Sequence, residues 1–306
     1  MTDKNTSMKT INFIKNLSAA LAIATLTGCD FVQNVNPPVE PTTNNNGGNS
    51  NNGDTAKIYR KAFVEDYTGH KCGNCPAAAD VLKGLHNSYG DKIVPLAIHA
   101  GFFANINGTY PTDFRTPAGT AYDTQFGISN AGNPNGLVNR IGNGTSSFIK
   151  AYTVWGSEVS KIVNQVAKFQ IKIKTTYNTG SNSLNTDVTV KSLTSNTGTY
   201  KLVVLLSEDS IIAEQLDYRL PSGSQFVTNY EFNHVLRGAI NSTWGDAIFT
   251  SGSAAANDSI VQSYNNFIIN SNYKVAKCHV IAYLYDADTS SPTYYEVLQV
   301  EEAKVK

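Results

Sequence analysis

The chain has 306 residues, 41% of them apolar, and its 24 basic and 24 acidic side chains leave no net charge. That is enough apolar material for real cores at a length of about two domains, and it lacks the basic field that non-specific nucleic-acid binding requires. No apolar run reaches the roughly 18 residues of a membrane-spanning helix.

At the N-terminus, Lys4, Lys9 and Lys15 are followed by "LSAALAIATL", Leu17 to Leu26, with no acid between Asp3 and Asp30. The apolar stretch is too short to span a bilayer and has the shape of a signal-peptide core. It ends in "LTGC", where small Thr27 and Gly28 precede Cys29. This resembles a bacterial lipoprotein signal, which implies that residues 1–28 are removed and that Cys29 carries the lipid anchoring the chain to a membrane. An ordinary cleaved signal with Cys29 incidental is the plain alternative. Either way, the remaining cysteines lie outside the cytosol, where disulfides persist. Residues 29–56 are rich in Asn, Pro, Gly and Thr and poor in bulky apolar side chains. They are expected to form a disordered tether.

Folded structure is expected from Lys57. "YRKAFVEDYT" reads as a strand. After Cys75, Ala78, Val81, Leu82, Leu85 and Tyr89 fall at helical spacing. "KIVPLAIHA" reads as a strand, Thr112 to Phe126 as a helix, "NPNGLVNRIG" as a proline followed by a short strand, and Tyr152 to Phe169 as a helix with Val159, Ile162, Val163 and Val166 on one face. Beyond Phe169 the period falls towards two in "FQIKIKTTY", "LNTDVTVKSL", "TYKLVVLLSE", "KCHVIAYLYD" and "TYYEVLQVEE". The expectation is an α+β protein: an α/β domain over residues 57–168, then an antiparallel β-sandwich, Ig-like or jelly-roll-like, over residues 169–306.

The chemistry concentrates in "GHKCGNCPAAADVL", Gly69 to Leu82. Cys72 lies where strand gives way to helix, and Pro76 marks the helix's first turn. A helix N-terminus stabilises a thiolate, His70 and Lys71 add positive charge, and the CxxC spacing lets one sulfur reach the other. Three readings stand side by side: a redox-active pair, a structural disulfide, and half a metal site completed by His70 and His99. A structural zinc wants four ligands, and the sequence has no second CxxC.

"CGNCP" between a strand and a helix resembles the thioredoxin superfamily. In that family a cis-proline stands opposite the pair, and "FGISNAGNPNGLVNR" offers Pro134 for that place. The match covers about residues 57–168. Two departures stand out: no tryptophan precedes the pair, and the loop from Ala100 to Pro111 is long. The lipoprotein signal, the Asn-rich tether, "VEDYTGHKCGNCP", "HAGFFA" and "EFNHVLRGAI" followed by "WG" together resemble the outer-membrane-protein-28-related lipoproteins of Bacteroidetes. That resemblance implies an outer-membrane lipoprotein with a thioredoxin-like domain and a β-sandwich. It implies no particular activity.

Under the redox reading, Cys72 is the exposed nucleophile, Cys75 resolves the mixed disulfide, and Pro134 lines the substrate groove. Glu65 or Asp66 assists proton transfer, only one of them facing the pair because they alternate along the strand. The partners would be exported protein thiols and disulfides. In the alternative, a non-enzymatic surface-binding or assembly lipoprotein carries the pair as a permanent disulfide. Cys278 reads as an inert core thiol, with a third redox partner as the alternative; Asn233, His234 and Arg237 read as hydrogen-bonding ties, with an anion- or glycan-binding patch as the alternative; and Trp244 reads as packing. The 16 tyrosines could form a sugar-binding platform, with ordinary strand-surface positions as the plainer reading. Outside the metal reading of the cysteine pair, nothing in the sequence calls for a cofactor or a resident metal, and neither a G-x-S-x-G elbow nor a phosphate-cradling loop occurs.

Overall fold

The structure is a computed structural model that describes residues 57–142 and 147–306. The expected signal segment, Cys29 and the tether to residue 56 lie outside the described residues. The first half runs β1 (Ala62–Thr68), α1 (Cys75–Tyr89), β2 (Ile93–His99), α2 (Pro117–Phe126), α3 (Ile128–Ala131), β3 (Asn135–Val138), β4 (Lys150–Ala151) and α4 (Trp155–Ile162). β1 is buried along its whole length. β2 pairs with it in parallel and β3 antiparallel on its other side. Pro76 opens α1, whose Ala78, Leu82, Leu85 and Tyr89 are buried at helical spacing.

Two helices are shorter than expected. The segment from Thr112 becomes helical only at Pro117, because Thr116 takes the N-cap and its Oγ1 accepts from the Gly119 N–H at 3.0 Å. α4 stops at Ile162 instead of reaching Phe169. Beyond it the backbone is drawn into extended pairing, with Arg60 N–H donating to Gln165 O and Ala167 N–H to Ile58 O, both at 2.8 Å. Val166 therefore leaves the helix face expected for it and is 56% exposed.

The second half runs β5 (Phe169–Asn178), β6 (Ser183–Ser192), β7 (Asn196–Thr197), β8 (Tyr200–Glu208), β9 (Ile211–Leu216), β10 (Phe226–Phe232), β11 (Val235–Ala239), β12 (Asp246–Ile248), β13 (Ser253–Ala254), β14 (Ser259–Ile268), β15 (Cys278–Asp286) and β16 (Val297–Lys304). The whole is a mixed α+β structure with several sheets. A nine-stranded sheet has the order β16-β15-β8-β11-β2-β1-β3-β4, with β12 also on β8. A three-stranded sheet has the order β14-β6-β5, and β9 and β10 form a separate hairpin.

The large sheet takes strands from both sides of residue 168. β11 joins them: it pairs antiparallel with β8 and meets β2 at Val235 and Ala97, where the Ala97 N–H donates to His234 O at 2.8 Å. A period near two is the expectation for "TYKLVVLLSE" and "KCHVIAYLYD", but β8 and β15 are buried on both faces. Val203, Leu205, Ile281 and Tyr283 pack with Phe63, Leu96 and Tyr122 of the first half. Leu202, Val204, Val280 and Leu284 pack with Phe169, Ile171, Val188 and Val190 of β5 and β6. Cys278 is buried in this second core, and burial pushes its thiol up to about 12. A third core lies between α1, α4 and the sheet, around Val64, Leu82 and Trp155.

Candidate functional site

Cys72 and Cys75 are joined as a disulfide between the end of β1 and the start of α1. Cys72 is 2% exposed and Cys75 1% exposed, so the expected exposed nucleophile is buried in the oxidised chain. Its cover is the segment that leaves β9. The Leu216 N–H donates to His70 O and the Tyr218 N–H to Gly73 O, both at 2.8 Å, and Gln215 Nε2 donates to Cys72 O at 3.0 Å. Gly73 permits the approach, since a Cβ there would lie 2.5 Å from the Tyr218 ring. Arg219 holds the far side. It pairs with Asp217, donates to Pro76 O at 3.2 Å, and reaches Asp80 on α1. Nothing in "EQLDYRLPSGSQF" announces this role, because a cover is defined by its register against a distant loop and not by composition.

On the other flank, Lys71 N–H donates to Phe103 O at 3.1 Å. The long loop after Ala100 thus backs the CxxC turn. His70 does not supply the positive charge expected of it. Its ring stacks on Tyr110, its Nε2 lies 3.2 Å from Asn105 O, and burial pulls its pKa down.

The two acids of β1 part company, as alternation requires. Glu65 points into the core shared with the second half and meets the Arg140 guanidinium at 2.7 and 2.8 Å, both side chains fully buried. Arg140 in turn lies over the rings of Tyr122, Phe126 and Tyr283 at 4.7, 5.2 and 4.9 Å. Asp66 points to the opposite face, towards α1. It lines a cavity of about 560 Å³ together with Cys75, Ala79 and His99. Burial alone raises the Asp66 pKa to about 7, and burial lowers that of His99 to about 3. Among the described residues, Asp66 Oδ1 and both ring nitrogens of His99 are buried without a hydrogen-bond partner. The position of His99 was legible in part: it falls on the same sheet face as Asp66 once β1 and β2 are paired with Thr68 opposite His99.

The Asn133–Pro134 peptide is cis and stands immediately before β3. The Asn133 amide donates to Tyr67 O at 2.6 Å, which binds this turn to β1. Asn233, His234 and Arg237 make the expected polar ties. Ser210 N–H donates to Asn233 Oδ1 at 2.9 Å, His234 N–H to Asp209 at 2.6 Å, and Arg237 Nε to Glu208 at 2.8 Å. Trp244 packs on Tyr122 and Tyr295. Among the described residues no group of three or more His, Cys, Asp or Glu side chains is disposed to hold a metal ion, and with both sulfurs in a disulfide the pair presents no thiolate to one.

Fold and site together define a mixed α+β protein with a CxxC disulfide at a strand-to-helix junction, roofed by its own chain and opening on a cavity. The chain belongs to the outer membrane protein Omp28 family, whose sequence model matches residues 119–306. The matched span begins after Cys75. No curated protein sequence is significantly similar to the chain. Among solved structures, the fold is similar to that of HBP35 of Porphyromonas gingivalis, with a TM-score of 0.62 at 14% identity, over 81% of this chain and 76% of that one. A protein from Agrobacterium tumefaciens aligns at 14% identity and a TM-score of 0.49, over 82% of this chain and 97% of that one. Among the described residues no helix is long and apolar enough to cross a membrane.

Proposed function

We propose that this Omp28-family protein is a lipid-anchored envelope protein whose Cys72–Cys75 pair carries out thiol–disulfide exchange. The first half is read as thioredoxin-like and the second as a β-sandwich. The observation that carries the activity is that Cys75 and Asp66 line one cavity: a fully buried carboxyl that titrates at about 7 is suited to exchange a proton with a sulfur there. The strand-to-helix setting of the pair and the cis Pro134 support the thioredoxin-like reading.

The test is a redox titration of the full chain in dithiothreitol buffers, read as the alkylated fraction of Cys72 and Cys75 by mass spectrometry. Catalytic pairs fall between about −120 and −270 mV, whereas structural disulfides lie below about −300 mV. A value in the lower range removes the exchange reading. The second reading, a stapled scaffold that binds a surface partner, is favoured by one fact: both cysteines are nearly inaccessible beneath the Gln215–Arg219 segment.

A further inference from the structure

We propose that the exchange partner is a low-molecular-weight amino-acid thiol that enters the cavity and attacks Cys75, while Cys72 is closed to folded proteins. The inference rests on the exchange reading above. It follows from the two sides of the disulfide being unlike. On the Cys72 side, the backbone of His70, Cys72 and Gly73 is already hydrogen-bonded to Leu216, Gln215 and Tyr218 of the same chain. A protein substrate that added as a strand beside the CxxC turn would find those groups taken. On the other side Cys75, 1% exposed in the oxidised chain, borders the cavity of about 560 Å³, a size suited to a small molecule. Asp66 and His99 line it, and the Asp66 Oδ1 and His99 ring nitrogens have no hydrogen-bond partner among the described residues, whereas polar groups so buried are ordinarily satisfied. Exposed Lys83 on α1 faces the cavity together with Asp80, Asp209 and exposed Glu231, so one cation is available to the carboxylate of an amino acid and several carboxylates to its ammonium.

The chemistry balances. The thiolate of the small thiol attacks Cys75 Sγ, the Cys75–Cys72 bond breaks, and its electron pair leaves on Cys72 Sγ, which takes up a proton. A second molecule of thiol attacks the mixed disulfide, releasing the small disulfide and the Cys75 thiolate. Two thiols are oxidised and one protein disulfide is reduced; the reverse sequence reoxidises the pair.

The experiment uses the oxidised full chain, L-cysteine and, separately, reduced thioredoxin as a protein dithiol at matched thiolate concentration, with alkylation and mass spectrometry as the readout. Cysteine is expected to reduce the pair about tenfold faster than the protein dithiol. Filling the cavity by Ala79→Trp is expected to slow cysteine by about tenfold, since exchange rates follow access. Lys83→Trp at the exposed rim provides the same obstruction should Ala79→Trp not fold. With cystine as oxidant, Cys72→Ser is expected to gain a cysteinyl adduct on Cys75, and Cys75→Ser none on Cys72. Cysteine rates unchanged in both tryptophan variants, or an adduct on Cys72 alone, overturn the proposal and leave thiol–disulfide exchange standing. If neither reagent reduces the pair in the folded chain while both do so in urea, the exchange reading itself falls and takes this proposal with it.

Discussion

Replacing Asp66 by Asn tests the electrostatics of the cavity floor directly. In the folded chain the Asp66 carboxyl titrates at about 7, against 3.8 ordinarily, and desolvation is the cause. A carboxyl raised in this way stabilises the folded state most below its unfolded pKa. Between the two values the folded chain holds a proton that the unfolded chain has lost, so stability falls as pH rises from about 4 to about 7 and is level above that. A gap of about 3 pH units at about 1.4 kcal/mol each amounts to about 4 kcal/mol. Asp66→Asn keeps the shape and removes the titration. The stability difference between variant and parent should therefore move by about 4 kcal/mol in the variant's favour from pH 4 to pH 8, whatever fixed cost the amide carries. His99, held neutral with a pKa of about 3, contributes the opposite slope from about 6.5 downward, but in both proteins, so it cancels in the difference. Urea unfolding at each pH, followed by the fluorescence of the fully buried Trp155, supplies the measurement. A difference that moves by less than about 1 kcal/mol over that range refutes a desolvated Asp66.

Removing Arg140 as Met leaves Glu65 as an uncompensated buried charge and should cost about 3–5 kcal/mol in urea unfolding, with part of the loss recovered when Glu65→Gln is added. Tyr218→Ala removes the ring lying on Gly73 and should speed reduction of the pair by a protein dithiol; an unchanged rate would show that the Gln215–Arg219 segment is no barrier. Either single Cys72→Ser or Cys75→Ser should lower stability by only about 2 kcal/mol, the chain-entropy value for so short a loop, as judged by the shift in urea midpoint. Cys278, buried and with its thiol pushed up to about 12, should resist iodoacetamide at pH 8 in the folded chain and react once urea unfolds it.

The main elements of the first half, and β5, β6, β8, β15 and β16 beyond it, were legible because apolar spacing reports which side of an element is wet, while β7 and β9 to β14 went unread. It was least informative where no side is wet. The run "KLVVLL" in β8 carries no usable period, since Val203 and Leu205 serve one core while Leu202 and Val204 serve another. Helix ends were misjudged where a distant segment competes for the backbone, as Ile58 and Arg60 do after Ile162. At the site, the cysteine pair and the opposed directions of Glu65 and Asp66 follow from spacing, and Pro134 from the resemblance to the thioredoxin superfamily. Their environments do not. The desolvation of Asp66, the lowered pKa of His70, and the cover drawn from Gln215 to Arg219 all depend on contacts between residues more than a hundred positions apart or on burial that tertiary packing creates.

The roof over the CxxC turn also imposes a sequence of events during synthesis. A chain emerging N-terminus first presents Cys72 and Cys75 long before Gln215, Leu216 and Tyr218 exist to close over them. The first half cannot finish its core either until β8 and β15 arrive with Val203, Leu205, Ile281 and Tyr283. For that interval the two thiols are neighbours in an open, unfinished structure, available to whatever oxidant acts on nascent chains. Once β9 is laid down and paired to the turn, a bond made earlier is sealed from large oxidants, and one not yet made has to be formed through the cavity beside Cys75.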